Sequence, residues 1–159
     1  MRILKIAATV IVLGVCAEAQ AGCHAKDFDT NRTLALLPEV GAAAANLKAL
    51  QDTPGLRSDE SGLLGVSGQL TDRSAAETAL FIGYIVIYER LTDSQDRAST
   101  DEFIAKAAIS SALAMKSYAD YLTVVAGAVP RFSAEIRSAR DAVRKLETLF
   151  ACVHSGSPQ

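Results

Sequence analysis

The sequence predicts an all-α domain, a four-helix bundle of up-down or orthogonal type closed by a disulfide between its ends. Three observations carry this. From Asp29 onward apolar residues recur at helical spacing between capping signals. Glycine and proline break that pattern at only a few points, so the joints are short and neighbouring helices antiparallel. Cys23 and Cys152 bracket almost the whole helical stretch. Half of the residues are hydrophobic, which is far above the composition of a disordered chain.

Before the first helix comes a leader. Arg2 and Lys5 precede an apolar run from Ile6 to Val15, and Ala-x-Ala follows twice, ending at Ala19 and Ala21. Residues 1–21 therefore read as a secretory signal peptide cleaved after Ala19 or Ala21. The run falls well short of the ~20 apolar residues that span a bilayer. The mature part, residues 22–154, is expected to be one helical domain, with residues 155–159 an unstructured tail. Cleavage takes away Arg2, Lys5 and Glu18 from 16 basic and 18 acidic residues, leaving a net charge of -3. That balance predicts no nucleic-acid partner.

Of three cysteines, Cys16 ends the leader, while Cys23 and Cys152 form an even pair in an exported chain and read as a disulfide. Closing a loop of about 130 residues stabilises by ~4–5 kcal/mol on the chain-entropy model. Lipidation is the first rival: acylation at Cys16 or Cys23 would tether the protein to the outer membrane, although Val15 and Gln20 both depart from the lipoprotein pattern. Zinc held by Cys23, His24, Cys152 and His154 is the second; adjacent and alternate ligands converge poorly, and oxidation would consume the thiols. No metal or cofactor is expected.

The helices follow in order. Asp29 or Thr30 caps a short turn through Leu37, Pro38 starts a helix, and Glu39–Gln51 continues it to Asp52-Thr53-Pro54-Gly55. A long loop is expected over Leu56–Leu70, because Gly62, Gly65 and Gly68 fall there. Helix two starts at the capping box Ser74-Ala-Ala-Glu77 and runs to about Leu91; helix three starts at Ser99-Thr-Asp-Glu102 and runs to about Ala126. Helix four begins at Pro130 or Arg131 and ends near Val153, with Phe132, Ile136, Ala139, Val143, Leu146, Phe150 and Val153 on one side and Arg137, Arg140 and Arg144 on another. Helix three gathers Phe103, Ile104, Ala107, Ser111, Met115, Tyr118, Leu122 and Val125, leaving Ile109 and Leu113 on its other side.

Helix two is anomalous. Thr78 to Tyr88 carries no charge on any face, so its outward side is either covered or sticky. The loop residues Leu63, Leu64 and Val66 are the expected cover; a partner or dimer surface is the alternative. The same residues favour strands, and only the cap, length and helical neighbours argue for a helix.

Chemical motifs fail on inspection. Asp27-Phe-Asp29-Thr-Asn31 opens like a calcium loop, but Arg32 stands at the turn and Pro38 at the bidentate position. Gly65-Val-Ser-Gly68 lacks the glycine of a nucleophile elbow. The histidines, His24 and His154, sit near the ends, where a catalytic triad is poorly placed. Asp59-Glu60 and Asp101-Glu102 read as solvated charge at helix starts. Asn31-Arg32-Thr33 is a glycosylation sequon only in a eukaryote, and the alanine-rich leader looks bacterial. Tyr84 with Tyr88 and Tyr118 with Tyr121 read as core-edge packing.

The expectation is a periplasmic or secreted, non-enzymatic protein-binding module, of the kind that inhibits or confers immunity against a secreted partner. Its candidate contact residues are Phe81, Ile85, Tyr88, Ile109, Leu113, Arg137, Arg140 and Arg144. A membrane enters only through lipidation, and a homodimer is open. The alternative is a carrier of lipid or a small apolar ligand, with helix two, Met115 and the tyrosines lining a cavity.

Overall fold

The computed structural model describes residues 23–152, which are all-helical and without strands. The expected leader, Cys16, His154, the helix end at Val153 and the C-terminal tail lie outside the described residues. Four helices follow a short 3-10 turn at Ala25–Asp27: α1 (Thr30–Leu50), α2 (Ser58–Arg90), α3 (Ser94–Ala128) and α4 (Ser133–Ala151), the last preceded by a second 3-10 turn at Pro130–Phe132.

Each helix buries a seam with alternating steps of three and four residues. In α1 the fully buried positions are Thr33, Val40, Ala44 and Leu47, with partly buried Leu37 completing the repeat; in α4, following Phe132, they are Ile136, Ala139, Val143, Leu146 and Phe150. In α2 the seam is Leu64, Ser67, Thr71, Ser74, Thr78, Phe81 and Ile85. A 3.5-residue repeat of this kind is what packs helices at shallow angles. The major contacts are α3 on α4 and α1 on α2, with α2 on α3 and α1 on α4 closing the ring.

The middle of the α2 seam is hydroxyl-bearing. Ser67, Thr71 and Thr78 donate to the carbonyls of Leu63, Ser67 and Ser74, four residues back, and Ser74 donates to Thr71, at 2.6–2.8 Å. Bonding back to the helix satisfies each hydroxyl without a partner helix, so the seam stays dry and polar atoms go unpunished. No buried side-chain polar atom among the described residues lacks a partner.

The long loop expected between helices one and two is corrected: the joint is short, between Leu50 and Ser58, and Gly62, Gly65 and Gly68 lie inside α2. The reason is α1. A Cβ on Gly68 would stand 2.7 Å from Lys48 Cγ, 3.2 Å from Lys48 N and 3.3 Å from Ala44 O, so the glycine lets two helix backbones meet. Tertiary contact outweighs the ~1 kcal/mol that glycine costs a helix. Ser74 is accordingly mid-helix, and the true start is at Arg57–Ser58, where the Glu60 carboxylate accepts from the Arg57 amide at 3.1 Å. The α3 start also moves, from Ser99 to Ser94, because Asp93 caps it by accepting from the Gln95 and Asp96 amides. Asp29 caps α1, which runs unbroken through Pro38.

At ~1.5 Å per residue, α2 and α3 are about 50 Å long against about 30 Å for α1 and α4. The α2–α3 hairpin therefore projects past its neighbours. Where it emerges, residues 23–29 cross the end of the bundle. Cys23 meets Cys152 at disulfide-bonding distance, with Cα atoms 5.1 Å apart. Phe28 wedges between Phe81 (centroids 4.8 Å) and Phe150 (5.8 Å). Asp101 receives the Ala25 amide at 2.8 Å and faces His24 Nδ1 at 2.7 Å. This crossing, and not Leu63, Leu64 and Val66, covers Phe81.

Candidate functional site

Once the α2 seam faces inward, Leu80, Tyr84 and Ile87 necessarily lie on the adjacent outward stripe, spaced four and three residues apart. Leu80 is 59% exposed and Ile87 55%. Opposite them on α3 stands Phe103, 51% exposed, its ring edge-on to Tyr84 at 5.1 Å and 81°. Between the helices runs a surface groove of about 370 Å³, bedded by Phe81, Ala107, Ser111 and Ala114 and walled by Leu80, Tyr84 and Phe103. Small residues on α3 leave the space that α2's aromatic and aliphatic side chains overhang.

The groove ends in a polar cluster. Tyr118 donates its hydroxyl proton to Glu77 Oε1 at 3.1 Å, and Arg73 Nε donates to the same oxygen at 2.8 Å. Burial, then the Glu77 carboxylate, pushes the Tyr118 phenol above its ordinary value, so it remains a donor. Bonding to Glu77 also holds the Arg73 proton more tightly than usual. Burial raises Tyr121 in the same direction.

The residues singled out from sequence are not brought together. Phe81 and Ile85 are each 1% exposed and belong to the core; Phe81 still contributes to the bed of the groove, whereas Ile85 does not line it. Tyr88 is half-buried beneath the Arg97 guanidinium, 4.9 Å from the ring centre. Ile109 is half-buried and Leu113 exposed, and neither lines the groove. Arg137 and Arg144 are exposed on α4, while Arg140 is held by Asp141 at 2.7 Å. Helix two does leave an apolar side exposed, at Leu80 and Ile87, where the sequence predicts a covering loop and has the sticky face as the alternative; it lies one residue along from Phe81 and Tyr88, and one residue on a helix is a turn of 100°.

The acidic pairs act locally. Asp59 and Glu60 lie 3.3 and 3.4 Å from the Arg57 guanidinium at the start of α2. Glu102 bonds Lys106 at 2.6 Å, which holds its carboxyl below the usual range, and Asp101 anchors the N-terminal crossing. Among the described residues no three His, Cys, Asp or Glu side chains are grouped to hold a metal ion, and no helix is long and apolar enough to cross a membrane. Set beside known proteins, the chain matches no family model, no curated sequence and no solved structure.

Proposed function

We infer that the protein is an exported, non-catalytic module, an up-down four-helix bundle that binds another protein through the α2–α3 groove. The observation that carries this is the groove's apolar rim, where Leu80 and Phe103 are each more than half exposed beside Tyr84, over a bed that the small side chains of Ala107, Ser111 and Ala114 leave open. Grooves of this shape take the apolar face of a helix, with side chains three and four residues apart as anchors. Aromatic residues and an arginine at the rim are the types that dominate such contacts. Inhibition of a secreted partner, or immunity to it, fits a small stapled scaffold of this kind.

Hydrogen exchange on the protein isolated from its own host tests the reading. Protection confined to residues 80–87 and 103–111 that disappears when bound protein is stripped away supports it; unchanged exchange there removes it. The carrier reading has one observation in its favour, a groove volume within the range of small-ligand sites. It predicts instead a bound apolar molecule of a few hundred daltons.

A further inference from the structure

We propose that residues Cys23–Asp29 form a redox-released strap: reduction of the Cys23–Cys152 pair frees it from the end of the bundle and bares the apolar surface around Phe81 and Phe150. The proposal is independent of what the α2–α3 groove binds. It stands on how the strap is held. Its Asp29 end is held by α1, which Asp29 caps; before that, three attachments fix it, namely the sulfur pair, the Asp101 carboxylate on Ala25 and His24, and the Phe28 ring between Phe81 and Phe150. Of its backbone only one 3-10 turn is internally bonded, so apart from those attachments the segment has little order of its own.

The bundle does not need the strap to stay closed elsewhere, because the α1–α2 and α3–α4 contacts lie along the helices. What the strap covers is the cluster where Phe81 and Phe150 meet edge-on at 4.9 Å. Cys152 is the one non-glycine residue among those described with positive φ, at 38°, a left-handed C-cap of α4 whose amide donates to Leu149 O.

The chemistry is thiol–disulfide exchange with an external dithiol. Cys152 is part-exposed and Cys23 fully buried, so the dithiol's thiolate attacks Cys152 Sγ. The Cys23–Cys152 bond breaks and Cys23 leaves as a thiolate, which takes up a proton. The second thiol of the reductant then displaces Cys152, which is protonated in turn. The protein gains two electrons and two protons, and the dithiol becomes a disulfide.

The test is hydrogen exchange by mass spectrometry on the mature chain, oxidised and with dithiothreitol, alongside a Cys23→Ser/Cys152→Ser double variant and with dye binding to exposed apolar surface. The expected result is exchange at residues 23–29 rising at least tenfold, dye fluorescence rising several-fold, and helix content and exchange in the centres of α1–α4 staying within twofold. Exchange at 23–29 that is the same in both states overturns the proposal. So does loss of the whole helical signal on reduction, which would make the bridge a staple only. Two free thiols in the unreduced protein would remove the disulfide itself and leave the groove reading untouched.

Discussion

At the scale of single residues, two glycines of α2 have opposite duties. Nothing lies within 4 Å of a Cβ built on Gly83, so Gly83→Ala gains helix propensity of up to about 1 kcal/mol and raises the melting temperature by a few degrees. Gly68→Ala gains the same propensity but drives a methyl against the α1 backbone, an overpacking that costs about 1–3 kcal/mol. Thermal melts of the two variants should move in opposite directions; equal stabilisation would contradict the close α1–α2 approach. Tyr118 supplies a pH signature. An unfolded phenol ionises near 10, whereas burial and Glu77 keep the folded one protonated to higher pH. The unfolded chain thus releases its proton first, and the stability Tyr118 confers is full below pH ~10 and lost as pH rises through the folded value. Ultraviolet titration should show Tyr118 and Tyr121 ionising above the value near 10 of a free phenol, and Tyr118→Phe should remove part of the alkaline loss of stability. Legibility at this scale was uneven: Asp29 and Thr30 both read as caps and only the structure decides for Asp29, while Asp93 hides behind the more complete box at Ser99.

At the scale of elements, α2 decides the account. Ile85→Asp places an unpaired charge in the core, costs several kcal/mol and should abolish the cooperative melt. Leu80→Asp, on the exposed stripe, should leave the melt within about 0.5 kcal/mol of the parent. Circular dichroism separates the two in one experiment, and the reverse order would turn the helix round. The sequence leaves this facing ambiguous for a physical reason. Ser67, Thr71, Ser74 and Thr78 occupy the seam, and their hydroxyls, satisfied by their own helix, mask the apolar period that α4 displays openly. Pattern reading therefore centres the sticky face on Phe81, Ile85 and Tyr88, and breaks the helix at glycines whose role is visible only when α1 is in place. In α4, by contrast, Phe132 through Phe150 read correctly at every step, since apolar and charged sides are cleanly divided.

At the scale of the whole molecule, Cys23 and Cys152 are far apart in sequence and adjacent in space, as the pairing predicted from the sequence requires. Replacing both with serine should cost about 2–5 kcal/mol and lower the melting temperature while leaving a cooperative transition. What the sequence did not disclose is the unequal length of the helices, which gives residues 23–29 an end to cross. Native mass spectrometry of the protein gently purified from its own host, with Leu80→Asp beside it, tests the binding claim most directly. A protein-sized adduct is expected on the parent and is lost from the equally folded variant. An adduct of a few hundred daltons, or a protein adduct that the variant retains, would contradict that claim.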